Sequence, residues 1–219
     1  MNSSVQGHVG SGTLGFNKHR FEFMASTDTR QQLRAARRAL SADQQRLCAD
    51  QLASIICREN FFLHAKRIGI YLANDGEIDP SLLTDIALKA GKHCFLPILH
   101  PLKENRLYFG QYSANTELVP NRFGIPEPKL NHTRIASPWS LDVIFMPLVA
   151  FDRQGNRMGM GGGYYDRTLG FMASGDRRQP KLVGLAHSVQ EINQVSQQSW
   201  DIPLHLIATN QEIICARQK

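Results

Sequence analysis

The sequence predicts an α/β fold, with one open, mostly parallel sheet carrying helices on both faces. Three observations predict it. Short apolar runs of β type alternate with segments of helical periodicity along the chain. One run, Leu141–Pro147, is almost continuously apolar, as expected of a strand covered on both sides. A glycine-rich stretch, GNRMGMGGGYYDR from Gly155 to Arg167, then follows that run. Ligands of parallel sheets collect beyond the carboxyl ends of the strands.

Each element has a local reason. The residues from Met1 to about Phe23 are rich in Gly and Ser and lack apolar periodicity. Residues 1–25 are therefore expected to be a disordered extension, or an upstream addition to a chain whose start is Met24. They lack the apolar core of a secretory signal. Asp28 or Thr29 is placed to N-cap a helix with Leu33, Ala36 and Leu40 on one side. Ser41-Ala42-Asp43-Gln44 reads as a capping box opening a second helix, with Leu47, Leu52, Ile55 and Ile56 as its buried face. Arg67–Leu72 is a β run. Asp79-Pro80 reads as an N-cap followed by proline at the first helical position, and Gly91 as the stop of that helix. His93–Pro97 and the alternating Arg106–Tyr112 are strands, and the segment 120–138, with four prolines, is a long irregular connection. After the glycine stretch, a helix is predicted from about Gly163 to Met172, then strands at Lys181–Ala186 and Leu204–Thr209.

The chain has 219 residues, enough for one α/β domain, taken as 26–219. Its hydrophobic (42%) and charged (20%) fractions are those of an ordinary globular protein. The net charge of +6 and the pI of about 9.3 suit an anionic partner without naming one. Cys48, Cys57, Cys94 and Cys215 form no C-x-x-C pair, so neither a disulfide frame nor a zinc site is expected. No apolar run nears the ~20 residues needed to span a bilayer.

The chemistry concentrates in the glycine stretch, where five glycines fall within the nine residues Gly155–Gly163. Glycine adds no apolar surface and costs backbone entropy, so such a run fits either a flexible turn or a place where bare backbone approaches phosphate. It is not a Walker A loop, because no Gly-Lys-Ser/Thr follows, nor a dinucleotide fingerprint, because Tyr164 stands where the third glycine belongs. The flanks favour phosphate. Arg157 offers a fork of donors, Asp166 a carboxylate for a cation, and Tyr164 and Tyr165 an aromatic wall.

Several ordered motifs extend this reading: RQQLR (Arg30–Arg34), YLANDGEID (Tyr71–Asp79), FGIPEP (Phe123–Pro128), FDRQGNRMGMGGGYYDRTL (Phe151–Leu169), KLVGLAHSVQ (Lys181–Gln190) and SWDIPLHLIAT (Ser199–Thr209). In this order, from about Thr29 to Ile214, the chain resembles the 5-formyltetrahydrofolate cyclo-ligase (methenyltetrahydrofolate synthetase) family. The resemblance implies a single-domain Rossmann-like sheet akin to those of sugar-phosphate isomerases and CoA transferases. It implies conversion of 5-formyltetrahydrofolate to 5,10-methenyltetrahydrofolate with ATP and Mg²⁺, releasing ADP and phosphate. ATP would be bound by Arg30, Gln31, Gln32, Leu33 and Arg34, and by Arg157, Met158, Gly159, Met160, Gly161, Gly162, Gly163, Tyr164 and Tyr165. Leu72, Glu77, Phe123 and Tyr165 would meet the folate, Asp166 and Asp201 the metal, and Arg157 and Tyr165 would be catalytic. The partners implied are the folate and ATP, without nucleic acid or membrane, for a cytoplasmic monomer.

The sequence departs from the family's pattern in places. Arg30 stands where lysine is common, Met158 and Met160 where Leu and Tyr or Arg are frequent, Gly162 where some members carry lysine, Trp200 before Asp201 where histidine is frequent, and His205 where a second acidic residue is common. On local sequence alone, Arg30 and Arg34, four apart, share a helix face that reads first as a solvated basic face together with Arg37 and Arg38. Glu77 could equally be a surface residue of an Asp-Gly turn. Two rivals stay open: another phosphate-binding α/β enzyme of the sugar-phosphate isomerase or CoA transferase type, and a basic nucleic-acid-binding module, which would bind with a steep salt dependence.

Overall fold

The structure is a computed structural model that describes residues 26–175 and 177–216. The extension predicted for 1–25 lies outside the described residues. Helix α1 (Ser26–Arg38) leads into α2 (Ala42–Ile56) and the short α3 (Asn60–Leu63). There follow β1 (Arg67–Gly69), α4 (Ser81–Lys89), β2 (His93–Leu99), β3 (Leu107–Tyr112), β4 (Leu118–Pro120), β5 (Pro126–Pro128), β6 (Ile135–Ala136) and β7 (Val143–Pro147). The chain closes with β8 (Ala150–Phe151), β9 (Arg157–Met158), α5 (Tyr164–Leu169), β10 (Lys181–Ala186), β11 (Leu206–Thr209) and β12 (Ile213–Cys215).

The eight-stranded sheet has the order β12-β11-β10-β7-β1-β2-β3-β6. Its five central strands, from β11 to β2, are parallel, whereas β12, β3 and β6 are antiparallel additions at the two margins. The expectation of a mostly parallel sheet is corrected to a mixed one. The β2–β3 and β11–β12 connections are too short for a crossover helix, so those strands turn back on themselves, and β6 joins the edge after the β4–β5 hairpin. From β1 the chain steps outward to β2, then returns to β7 on the other side of β1 and steps away through β10 and β11. The strand order therefore reverses between β1 and β7. In open α/β sheets a crevice opens at such a reversal.

Alternation along each central strand feeds two cores. Val143 and Phe145 of β7, with Ile68, Cys94, Leu96, Val183 and Leu185, pack under Leu52, Ala53 and Ile56 of α2, Phe62 of α3 and Leu83 and Ala87 of α4. Ile144 and Met146 point the other way, with Phe95, Leu182 and Ile207, against Leu169 of α5 and the 3₁₀ turn carrying Phe171 and Met172. Helix α1 lies apart and seats Leu33 on Val149 and Ala150.

Local chemistry explains most element ends. Ser41 caps α2 in the expected capping box with Gln44, and Gly91, at φ +73°, ends α4. Other details differ from the sequence reading. Helix α1 already runs at Ser26, so Asp28 lies in its first turn and not at its cap. Pro80, not Asp79, is the N-cap of α4, while the Asp79 carboxylate accepts from the Ser81 amide at 2.9 Å. Leu47 is exposed, and Ala49 and Ala53 take its place on the buried face of α2. Between β7 and the glycine loop the chain makes the β8–β9 hairpin. Segment 120–138 is not wholly irregular, because β4 and β5 pair as a separate hairpin and β6 joins the main sheet.

Candidate active site

A cleft of about 810 Å³ lies over the carboxyl ends of β1, β2 and β7, at the point where the strand order reverses. That volume suits a nucleotide or cofactor-sized ligand. Its floor is Tyr71 and Leu72 after β1, Leu96 and Pro97 of β2, and Pro147 and Leu148 at the end of β7. Its walls are Asn74 and Glu77, the tip of the β4–β5 hairpin with Phe123, the loop from Met158 to Gly163 with α5, and the segment carrying Trp200 and Asp201.

The glycine stretch serves two purposes. Gly155 is structural: a Cβ there would meet the Ala216 Cβ at 2.2 Å, and its φ of +93° disfavours any side chain. Gly159 and Gly161 have no atom within 4 Å of a Cβ position, so that stretch of backbone is bare. Two arginines occupy loop carbonyls: Arg30 Nε donates to Gly159 O at 2.9 Å, and Arg167 Nη1 to Gly162 O at 2.7 Å. The loop is held in place upstream by the buried Asp152. Its carboxylate accepts from the amides of Gln154 (3.0 Å), Asn156 (3.1 Å) and Val195 (2.9 Å), and from the Asn156 side chain at 2.8 Å. Carboxylates bonded in this way fix loops, because each lost bond leaves a buried acceptor unpaired.

Of the five α1 residues singled out in the sequence, Arg30 alone lines the cleft. Leu33 is buried in the core, Gln31 is exposed, and Arg34 Nε turns to Asp75 at 2.7 Å. Arg30 and Arg34 therefore do not converge. Arg157 and Asp166, expected to act separately, pair with each other at 2.6 Å. The Arg157 guanidinium is only 8% exposed and also donates to Ile202 O. Asp166 Oδ1 accepts a further bond from the Ile202 amide at 3.2 Å. Asp201 lines the same cleft, with Oδ2 accepting from the Gln198 amide at 2.8 Å. Tyr164 accepts a hydrogen bond from Arg122 on its hydroxyl and meets Phe123 edge-on at 6.0 Å. Phe123, Met160 and Trp200 are exposed large side chains, and all three line the cleft.

Glu77 is the most perturbed carboxylate. Burial pushes its pKa up to about 7, against the opposing charge of Arg37 and a hydrogen bond from the Asn74 amide. Tyr165 is held well above the ordinary phenol range, mainly by burial and then by the Glu77 charge. Tyr71 is raised by the same two causes and donates its hydroxyl to Ile78 O at 2.8 Å. The cleft thus brings Leu72, Glu77, Phe123, Tyr165, Arg30, Arg157, Asp166, Asp201 and the glycine loop together. Among the described residues, no cluster of three His, Cys, Asp or Glu is arranged for a metal.

The sequence reading missed Arg37. It took Arg37 as part of a solvated basic face, yet the side chain is fully buried and donates to Asp75 and Leu148. The signal was present: Arg37 lies four residues after Leu33, on the apolar side of α1.

The sequence profile of the 5-formyltetrahydrofolate cyclo-ligase family matches residues 24–210. The chain is 38% identical to the 5-formyltetrahydrofolate cyclo-ligase of Escherichia coli K12 over 181 residues, covering 83% of this chain and 98% of that one. It is 38% identical to the Haemophilus influenzae enzyme of the same name (82% and 96% covered) and 30% identical to that of Mus musculus (78% and 86%). Its fold is similar to that of Aquifex aeolicus 5,10-methenyltetrahydrofolate synthetase, with a TM-score of 0.74 at 28% identity over 88% of this chain and 93% of that one. With the profile spanning most of the chain and a 38% identical relative covered over 98% of its length, this chain belongs to the 5-formyltetrahydrofolate cyclo-ligase family.

Proposed function

We propose that the chain is an ATP-dependent cyclo-ligase that converts 5-formyltetrahydrofolate to 5,10-methenyltetrahydrofolate, releasing ADP and phosphate. One observation carries the reading: a bare glycine loop and the largely buried Glu77 carboxylate face one cleft at the reversal of strand order. The same order supports a Rossmann-like description of the fold.

The chemistry needs such a cleft. A formamide is a poor electrophile because its nitrogen lone pair is delocalised into the carbonyl. Ring closure must also expel the formyl oxygen, and oxide is a very poor leaving group. Transfer of the γ-phosphoryl group to that oxygen makes phosphate the leaving group, and N10 then attacks the formyl carbon. Phosphoryl transfer of this kind depends on positioning and electrostatics, so no protein nucleophile is required.

The loop backbone from Gly159 to Gly163, with Arg30 and Arg157, holds the triphosphate. For Arg157 to reach phosphate oxygens, it exchanges its bond to Asp166 for the nucleotide. Glu77 accepts hydrogen bonds from the donor-rich edge of the pterin, and Leu72, Phe123 and Tyr165 flank the flat ring. Asp166 and Asp201 fit a magnesium ion brought in with the nucleotide, because Mg²⁺ takes hard oxygen donors and is held by one or two carboxylates plus phosphates. Bound there, it would neutralise phosphate charge. We read the protein as a cytoplasmic monomer.

The test is an absorbance assay of methenyltetrahydrofolate formation from 5-formyltetrahydrofolate, with and without ATP and with and without Mg²⁺. Turnover is expected only with all three present. No product under any condition would remove the reading.

A further inference from the structure

We propose that Arg37 is a positioning residue for folate recognition, clamping the Asp75–Gly76–Glu77 turn so that the Glu77 carboxylate faces the cleft. This rests on the reading that Glu77 meets the folate.

Arg37 is fully buried, which is costly for a guanidinium unless its donors are matched. They are matched by two walls of the cleft at once. Nε donates to Asp75 O at 2.8 Å and Nη2 to Asp75 Oδ2 at 2.9 Å, on the turn after β1. Nη1 donates to Leu148 O at 3.1 Å, at the end of β7. Glu77 Oε1 lies 3.8 Å from Nη2. The guanidinium thus ties α1 to the two chain segments that flank the strand-order reversal.

The turn needs a clamp. Asp75 adopts φ +53° and Gly76 φ +74°, two successive left-handed residues, the first of them not glycine. Such backbone persists only where the surroundings over-determine it. Here they do. Arg34 and Arg38 also reach the Asp75 carboxylate, at 2.7 and 3.5 Å, and Gln45 Nε2 bridges Arg37 O and Gly76 O at 2.9 and 3.4 Å. Burial disfavours the ionised Asp75, but hydrogen bonds from Arg34 and Arg37 outweigh it and hold this carboxyl below its ordinary range. Asp75 is therefore the charge partner of the clamp, and Glu77 is left to point at the ligand.

The charged and titratable groups around Glu77 are few. They are Arg34 and Arg37 of α1, Asp75 on its own turn, Tyr71 and Tyr165 on the floor and far wall, and the buried His187, which lies against Gly76 of the same turn and feels the Arg37 charge. Removing the nearest cation leaves the more distant Arg34 as the opposing charge, against Asp75, two phenols and burial. Its ionisation then moves to higher pH, and folate binding that needs the carboxylate weakens at neutral pH.

The experiment compares Arg37→Met, Arg37→Lys and Glu77→Gln in the full chain by steady-state kinetics on both substrates. For Arg37→Met, the KM for 5-formyltetrahydrofolate is expected to rise on the order of tenfold, the KM for ATP to change by less than about twofold, and the folate pH profile to shift alkaline. Lysine keeps the positive charge but not the planar fork that spans Asp75 O, Asp75 Oδ2 and Leu148 O, so a rise in the folate KM smaller than that of Arg37→Met is expected from Arg37→Lys. This second variant carries the test if Arg37→Met does not fold. The double variant Arg37→Met/Glu77→Gln should be no worse than Glu77→Gln alone, because one substitution acts through the other. A folded Arg37 variant with a wild-type folate KM and pH profile, while Glu77→Gln raises that KM, overturns the positioning role alone. Fully additive effects in the double variant overturn it too. An unchanged folate KM in Glu77→Gln removes the underlying reading instead.

Discussion

At Glu77 the proposed binding role comes with a stability cost. Its pKa of about 7 in the folded chain stands above the ordinary 4.5 because burial disfavours its charge. Between those two values the folded state holds more protons than the unfolded state. Stability from this group is therefore greatest below pH ~4.5, falls as the pH rises toward 7, and is flat beyond. Removing the charge should reverse that loss. Glu77→Gln is expected to stabilise the chain by about 1–3 kcal/mol at pH 8 and to flatten this part of the stability profile. It should also weaken folate binding. Denaturant melts at pH 5 and pH 8 check the first outcome, and an equal stability change at both would contradict it. The sequence revealed that Glu77 was present but not that it was buried. An acidic residue after Asp-Gly reads as a surface turn, and the burial comes from α1, through Arg37, packing on that turn from forty residues away in sequence. The pairing of Arg157 with Asp166 was hidden for the same reason. Both residues were legible as chemistry, but their mutual contact depends on how β9 and α5 meet.

At the scale of elements, the glycine stretch divides into a hairpin residue and a loop, and the two halves should respond oppositely to the same change. Alanine at Gly155 puts a methyl group 2.2 Å from the Ala216 Cβ and forces a side chain into φ +93°. Gly155→Ala is therefore expected to cost about 2–4 kcal/mol of stability, through overpacking and backbone strain together. Gly159 has open space around its Cβ position and no left-handed φ. Gly159→Ala should leave stability within about 0.5 kcal/mol and raise the KM for ATP, because the added methyl group stands on backbone proposed to approach phosphate. A melt and an ATP titration of each variant separate the two. A Gly159→Ala variant that melts early with an unchanged KM would contradict the division. The elements themselves were partly legible. The capping box at Ser41, the Gly91 stop and the buried run of β7 were readable because their causes are local. The β8–β9 hairpin was not, because its turn is built by the Asp152 carboxylate reaching the amides of Gln154 and Asn156 within it and that of Val195 far along the chain. The antiparallel margins were missed for a related reason, since the direction of a strand is set by its partner and not by its own alternation.

At the scale of the molecule, the cleft is assembled from segments that lie far apart in the chain: α1, the turn after β1, the β4–β5 hairpin, the glycine loop and the residues near Trp200. They meet where the parallel centre of the sheet reverses its strand order, so both halves of the sheet contribute walls. A ligand that bridges them binds the folded chain and has no counterpart site in the unfolded one. Binding of this kind stabilises by RT ln(1 + [L]/Kd), about 2.7 kcal/mol at one hundred times Kd. For a chain of this length that corresponds to a rise in Tm of roughly 5–10 °C. Mg-ATP alone, without folate, is therefore expected to raise the melting temperature in proportion to the logarithm of its concentration. Arg157→Ala should abolish most of that rise. The substitution removes a guanidinium that joins β9 to α5 through Asp166 and to Ile202 O, so the variant should also melt somewhat lower without ligand. The two effects separate in a thermal titration, where the starting Tm reports the lost internal bonds and the ATP concentration at which Tm begins to rise reports the loss of the proposed phosphate contact. An onset at the wild-type ATP concentration in Arg157→Ala would place the triphosphate away from Arg157. A slope of zero in the unsubstituted chain would deny that the cleft binds nucleotide before folate arrives.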